Sequence, residues 1–483
     1  MEAKLLINNQ WVAAQSGKTF LRQHPVTKET VTVCAAAGVV DAVAAASAAA
    51  DSYKLWKQSA PSERRRLLLK TADILEAKTP QFIEAMAKEV GASALWAGFN
   101  VYLAANVFRE AAALATQIQG ETIPTDKPGT LSMTLRQPVG PILSIVPWNG
   151  TVVLAARAIA YPIVCGNSVV FRGSESSPQT HALVAEAVLE AGFPAGVLNY
   201  INNAPEEAEE IVDTLISHDA IRRINFTGST RIGRLIAQKA AVHVKRCLLE
   251  LGGKSPLIVL DDANIDEAVK AAIFGTFLYQ GQICMSTERI IVDESVADDF
   301  VEKFVAKARA LVSSDPIENP DAIIGPMISP ASGPRINDMM SDALSKGAVL
   351  RCGGAADGAL MPATVVDHVT SEMRLYDEET FGPITIVIRV KGIEEAIKVA
   401  NDSAYGLSSG VFSKDVNKAL SVAMAIEYGS VHINGATVQN EAQAPYGGTK
   451  GSGYGRFDGR AVIDEFTELK WLTIEPQIQN YPF

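Results

Sequence analysis

From about residue 140 onward, short apolar runs alternate with helical ones, and no other feature constrains the fold as tightly. Residues 141–146, Pro-Ile-Leu-Ser-Ile-Val, read as a strand, 151–164 as a helix and 168–172 as a strand. Helix 179–191, strand 197–201 and helix 205–216 follow. Strands this short and uniformly apolar are buried on both faces, which predicts a parallel sheet with helices on each side. A second alternation starts near 255, with strand 256–260, helices 264–281 and 294–313, and further units to 434. Ahead of both lie short strands and turns over 5–34 and Ala-rich helical segments near 40–57, 61–88 and 91–118. Pro61-Ser62 gives the second of these a start signal. Residues 130–138 alternate in polarity and are expected to form an exposed hairpin. The reading is two α/β domains with a β arm, without a repeat of fixed period.

At 483 residues the chain is too long for one ordinary core. Forty-three basic residues against 54 acidic give a net charge of −11, which argues against nucleic acid as a partner. The run Arg64-Arg65-Arg66 is expected to be a solvated helix face. The most membrane-like stretch, 150–171, is interrupted by Arg157, Pro162 and Gly166-Asn167, so a buried helix and strand are expected and not a span. The first residues lack a basic region followed by an apolar one, so no signal peptide is expected. Five scattered cysteines with no C-x-x-C pair suit a reducing compartment, and a cytoplasmic protein is expected. No Cys/His cluster at zinc spacing occurs, so no metal is expected.

Three groups carry chemistry. Cys284 lies in Gly-Gln-Ile-Cys-Met-Ser at 281–286, Glu250 opens Glu-Leu-Gly-Gly-Lys at 250–254, and Asn149 closes Val-Pro-Trp-Asn at 146–149. A thiol, a carboxylate and a side-chain amide suffice to form a thioester from an aldehyde and hydrolyse it. Taken singly, Cys284 would read as a buried inert cysteine and Asn149 as a helix N-cap. Together, in these surroundings, they resemble the aldehyde dehydrogenase superfamily, over nearly the whole chain.

The resemblance implies Cys284 as nucleophile, Glu250 as general base and Asn149 as oxyanion donor. Glu250 further implies hydrolysis and not transfer to coenzyme A. The implied fold is α/β: a Rossmann-type parallel-sheet cofactor domain (1–117 and 138–249), an α/β catalytic domain (250–449) and a β oligomerisation arm (118–137 and 450–483). By resemblance the tail pairs with a neighbouring subunit. A homodimer is expected, with a homotetramer as the alternative. Relatives often carry Lys and Glu where this chain has Ala158 and Phe457, which removes those groups as a proton relay from Glu250.

For the cofactor, the segment 223–233 (Arg-Ile-Asn-Phe-Thr-Gly-Ser-Thr-Arg-Ile-Gly) runs from a strand through a small-residue turn into a helix. Gly228 is expected to permit the tight turn, and free N–H groups near Ser229 and Thr230 to receive a phosphate. Such joints are also common without any ligand. By resemblance, Trp148, Phe226, Gly228, Ser229, Gly233, Leu251 and Gly252 belong to the cofactor site. Glu379 would bind the nicotinamide ribose, and Phe381 would pack near the ring. Arg172 and Glu175 match the family segment that holds the adenosine ribose, although Lys and Pro usually stand at the positions of Arg172 and Gly173. The Glu175 carboxylate would accept from both ribose hydroxyls and repel a 2′-phosphate, so NAD is the expected cofactor.

The substrate reading rests on Gly150, Arg157 and Trp96. Many relatives carry large aromatics at the positions of Gly150 and Arg157. Glycine there makes room for a ring, and the guanidinium supplies fixed donors for a hydroxyl, phenolate or carboxylate. Trp96 would be a stacking wall. The alternatives are an Arg157 paired with a buried carboxylate and a Trp96 that belongs to the core. Stretches 63–70, 90–96 and 434–446 look most similar to bacterial family members that oxidise salicylaldehyde, so an aromatic aldehyde is the expected substrate. Two other readings stay open: an aliphatic acid semialdehyde such as succinic semialdehyde, and an inactive scaffold.

Overall fold

A computed structural model of the chain describes residues 1–477 and 481–483. Its first large sheet has eight strands, in the order 453–454, 246–250, 223–227, 142–145, 169–172, 198–201, 5–7 and 10–12. The five central strands are parallel. The strand order reverses between Ile142–Ile145 and Arg223–Thr227, so the crevice at the carboxyl ends of those two strands is the switch point where α/β sheets receive ligands. The second sheet has seven strands, in the order 349–352, 364–367, 384–390, 287–293, 255–259, 408–412 and 430–433. Every pair in it is parallel except the edge strand Val349–Cys352. These two units are the α/β sheets expected from the alternation.

Strands buried on both faces were the easiest elements to anticipate. Ile142–Ile145, Val169–Arg172, Leu198–Ile201 and Arg223–Thr227 are buried at every position. Helix Thr151–Val164 is likewise buried throughout, as expected of an apolar segment wedged between helices and sheet. Among the described residues, no helix is long and apolar enough to cross a membrane. All five cysteines are free, and four of them are buried.

Four expectations need correction. The helical stretch 61–88 is two helices, Pro61–Ala77 and Thr79–Val90, because Pro80 fits a first turn and not a helix interior. Residues 130–138 are not a hairpin. Leu131–Pro138 is a single strand whose antiparallel partner is Thr467–Ile474 of the same chain, so here the tail pairs internally. Residues 478–480 of the tail lie outside the described residues. Finally, Arg64 is not on a solvated face. It is 9% exposed and donates to Ser59 Oγ and to the carbonyls of Val164 and Lys57, while Arg66 stays outside and pairs with Glu63.

Arg289 anchors the second sheet beneath the site. Its buried guanidinium donates to the carbonyls of Lys254, Val399, Ala400 and Asp402 and to the Tyr428 hydroxyl. The carbonyls of Val399, Ala400 and Asp402 belong to the end of helix Gly392–Asn401 and the loop beyond it, where the backbone has no intrahelical donors. Arg289→Ala should cost roughly 3–5 kcal/mol, the scale of a broken buried polar network, measured by urea denaturation. A loss below about 1 kcal/mol would show that water replaces the guanidinium there.

Candidate active site

Two sheets supply the site from opposite sides. Asn149 follows strand Ile142–Ile145 at the switch point of the first sheet, and Glu250 ends strand Arg246–Glu250, which pairs with the other switch-point strand. Cys284 comes from the second unit, in the turn before strand Thr287–Asp293. The backbone leading to it is left-handed at three successive residues, Tyr279 (φ 48°), Gln280 (φ 46°) and Gly281 (φ 71°). Side chains hold that bend: Gln280 Nε2 donates to the Pro326 carbonyl at 2.7 Å, and the Tyr279 ring stacks on Trp96. Glycine is required at 281, since a Cβ there would come within 2.2 Å of the Gly382 carbonyl oxygen.

Around the thiol, Cys284 Sγ lies 3.3 Å from the Tyr446 hydroxyl, which in turn donates to Glu250 Oε1 at 3.4 Å. Glu250 is fully buried, and its Oε2 has no hydrogen-bond partner among the described residues. Asn149 does not cap the following helix. The N-cap is Gly150, while Asn149 Nδ2 donates to the Gln282 carbonyl at 3.1 Å, next to the thiol segment. Burial pushes the Glu250 carboxyl above its usual range, opposed by Arg157. Burial also pushes the Cys284 thiol well up, and Glu250 adds to the rise.

Two cavities converge on Cys284 and Asn149. One is almost wholly apolar, walled by Trp96, Phe99, Val153, Leu154, Phe274 and Tyr446, with Gly150 and Arg157 also lining it. The other is a cleft lined by Trp148, Gly228, Ser229, Glu250, Leu251, Gly252, Glu379 and Phe381. Thiol and amide thus stand at the junction of an apolar tunnel and an elongated groove at a sheet switch point.

The Aldehyde dehydrogenase family model matches residues 11–472. The chain belongs to the aldehyde dehydrogenase family. It is 71% identical to a salicylaldehyde dehydrogenase of Pseudomonas sp. (strain C18), over all of both chains. It is 50% identical to a vanillin dehydrogenase of Pseudomonas fluorescens, again over the whole of each. Among solved structures it matches a salicylaldehyde dehydrogenase from Pseudomonas putida G7, complexed with salicylaldehyde, with a TM-score of 0.99, 71% identity and full coverage of both chains.

The remaining residues singled out in this aldehyde dehydrogenase fall into several settings. Arg157 is paired with a buried carboxylate and also lines the apolar cavity. Its Nη2 lies 3.3 Å from Asp458 Oδ2 in a fully buried pair, yet Nε and Nη1 have no hydrogen-bond partner among the described residues. The guanidinium stacks over the rings of Tyr446 (4.7 Å) and Phe457 (5.3 Å). Trp96 is also shared: it lines the tunnel, stacks on Tyr279 at 4.8 Å, and donates its indole N–H to the Asn149 carbonyl.

In the cleft, Ser229 caps helix Thr230–Val242 by accepting from Ile232 N–H. Gly228 is glycine for a different reason from the one expected. It has no left-handed backbone, but a Cβ there would meet the Phe226 ring at 2.5 Å. Phe226 is accordingly a floor beneath the turn, and Gly233 lets the helix seat against Leu251, 2.4 Å from where a Cβ would stand. Arg172 and Glu175 lie beyond the cleft residues just named and pair with each other at 3.1 Å, with Arg172 Nε on Asn203 Oδ1. Glu379 accepts from Gly253 N–H at 2.8 Å, and burial, with Glu288 adding, pushes its carboxyl up to about 8. Phe381 meets Trp148 edge-on at 5.7 Å.

Sequence reasoning missed Tyr446 and Asp458 as members of this cluster. The aromatic after Pro445 and the acid after Phe457 were visible, but nothing local says that they meet Arg157. A desolvated thiol should react slowly at neutral pH, because the nucleophile is the thiolate. Iodoacetamide alkylation of Cys284 should therefore keep rising with pH well past pH 9 in the nucleotide-free protein. A plateau below pH 8.5 in a pH–rate series would show that Arg157 and Tyr446 outweigh burial.

Proposed function

We propose that this protein oxidises an aromatic aldehyde, salicylaldehyde, to the acid with NAD as cofactor. The observation that supports this most is the pair of cavities meeting at Cys284 and Asn149, one of them apolar and ring-walled with a single guanidinium. The cleft fits a dinucleotide. Gly252 leaves the space where a Cβ would crowd Glu379 to 2.7 Å, Ser229 opens a helix whose first N–H groups suit a phosphate, and Trp148 and Phe381 give an aromatic wall. Glu175, beside Arg172, favours ribose hydroxyls over a 2′-phosphate. When bound, the nicotinamide accepts the hydride that leaves the aldehyde carbon.

The chain's own groups do the rest. Cys284 Sγ bonds to the aldehyde carbon, its proton leaving toward Glu250 past the Tyr446 hydroxyl. The Asn149 amide and the Cys284 N–H donate to the resulting oxyanion. After oxidation a thioester joins Cys284 to the acyl carbon. Once Glu250 has released that first proton to solvent, it takes a proton from water, whose oxygen attacks the acyl carbon. The C–S bond breaks, Cys284 takes the proton back from Glu250 and the acid is released.

The substrate reading follows from charge. Asp458 already matches Arg157, and Glu250 stands in the same buried cluster. A semialdehyde with a distal carboxylate would add another anion to a desolvated space, whereas a neutral ring fills the apolar walls and offers its ortho-hydroxyl to the unpaired Arg157 donors. The organisation we propose is a cofactor domain over 1–117 and 138–249, a catalytic domain over 250–449 and an arm over 118–137 and 450–483. The exposed Trp471 of the arm, with Val242 and Val244 exposed at the end of helix Thr230–Val242, favours a homodimer, and the free cysteines favour a cytoplasmic setting.

NADH absorbance with salicylaldehyde, benzaldehyde and succinic semialdehyde, each with NAD and NADP, tests this directly. The aromatic aldehydes should exceed the semialdehyde in kcat/KM by roughly 100-fold, the scale of a few kcal/mol for burying an unmatched charge. Cys284→Ala should abolish turnover, and Asn149→Ala should lower kcat by roughly 100–1,000-fold. Arg157→Ala should cut the salicylaldehyde-to-benzaldehyde ratio about tenfold, one hydrogen bond to a charged donor. An unchanged ratio would remove Arg157 from substrate recognition, and turnover confined to the semialdehyde would overturn the substrate reading.

A further inference from the structure

Glu288 has no part in the reaction just described, yet it is 4% exposed and lies four residues beyond the thiol, at the start of strand Thr287–Asp293. Its carboxylate is heavily engaged. Oε2 lies 2.6 Å from Lys254 Nζ, Thr380 N–H donates to both oxygens at 2.7 and 3.0 Å, and Phe381 N–H donates to Oε1 at 3.0 Å. Lys254, fully buried, also donates to the Glu378 carbonyl at 2.7 Å. One buried ion pair therefore binds three segments: the end of 250–254, the start of 287–293 and the turn 378–381.

That turn is the one that faces the cleft. Glu379 and Phe381 line it, as do Leu251 and Gly252 on the segment that Lys254 ends. Phe381 is held at φ 50°, a left-handed conformation that an aromatic residue adopts only when its surroundings impose it. The Glu288 oxygens are what fix its N–H, and the ring then meets Trp148 edge-on. On the next link, Gly253 N–H holds the Glu379 carboxylate. A neutral side chain at 288 could not satisfy these donors together. Glutamine would offer one oxygen to the two amides and turn its own N–H groups toward the Lys254 ammonium.

We infer that Glu288 is a positioning residue for cofactor binding: paired with Lys254, it sets the turn that presents Glu379 and Phe381 to the nicotinamide half of the dinucleotide. The inference rests on the proposed occupation of the cleft by NAD. It is distinct from the chemistry at Cys284, which needs neither Glu288 nor the turn for its reactivity toward a simple electrophile.

The test measures NAD binding by quenching of tryptophan fluorescence, with iodoacetamide alkylation of Cys284 in the absence of nucleotide alongside. Glu288→Gln should weaken NAD binding about tenfold, the scale of a lost charge-assisted hydrogen bond, and Glu288→Ala should weaken it further. Glu288→Gln leaves the buried Lys254 ammonium without its partner, so its melting temperature should fall, but alkylation of Cys284 well below that melting point should stay near wild type. Unchanged NAD affinity in both variants would overturn the inference. So would a loss of affinity matched by an equal loss in alkylation rate, since that is what a merely structural role gives. Hydrogen exchange on the wild-type protein needs no variant to fold: the Thr380 and Phe381 amides should exchange slowly, and fast exchange overturns the inference. A wild-type protein that binds neither NAD nor NADP would instead overturn the cofactor reading on which this one stands.

Discussion

One buried cation makes the reaction centre tolerable. Arg157 stands among two buried carboxylates, Glu250 and Asp458, and the half-buried thiol of Cys284. An unmatched charge in such a space costs several kcal/mol. Arg157 can offset one anion, so burial raises the proton affinity of both carboxyls while Arg157 pulls it down. The thiol is raised in the same way, with Glu250 adding to the rise and Arg157 and Tyr446 opposing it. An ionised thiol draws on Arg157 and Tyr446 for its stabilisation.

That cluster exists only because two separately cored sheets dock. Asn149 and Glu250 hang from carboxyl ends of the first sheet, while Cys284 is carried by the turn entering the second. The docked edge stores strain, with two non-glycine residues, Tyr279 and Gln280, held left-handed ahead of the thiol. Such conformations cost of order 1–3 kcal/mol each, and the Gln280 amide and the Trp96–Tyr279 stack are what hold them. The stack then serves twice, because Trp96 is also a wall of the apolar tunnel and ties its indole to the Asn149 backbone.

What could be read in the sequence divides along physical lines. Strands buried on both faces announce themselves by composition, so Ile142–Ile145 and Val169–Arg172 were placed almost to the residue. A proline inside a helical pattern was the local signal that should have split 61–88, and it was overlooked. The pairing of Leu131–Pro138 with Thr467–Ile474 could not be seen, because alternation marks a strand but not its partner. The same limit hid Asp458 and Tyr446. Each is ordinary in its own segment and acquires meaning only from Arg157, which lies far away in the chain. Gly228 illustrates a subtler gap: glycine is needed there because of a ring beneath it and not because of a dihedral angle.

The buried ion pair joins a helix to a distant loop, and each of its charges has an uncharged neighbour: Ala158 after Arg157, and Phe457 before Asp458. One step along a helix turns a side chain by about 100°. Arg157 therefore faces the apolar tunnel, while the carbonyl of Ala158 accepts from Ser144 within the core of the first unit. Phe457, fully buried, lies under the guanidinium at 5.3 Å. Glu250 lines the cleft with Thr227 and Gly252 and not the apolar tunnel, whereas Arg157 lines the tunnel and not the cleft. The acid and the cation of one buried cluster thus open onto different cavities, and the junction between those cavities is where Cys284 and Asn149 stand.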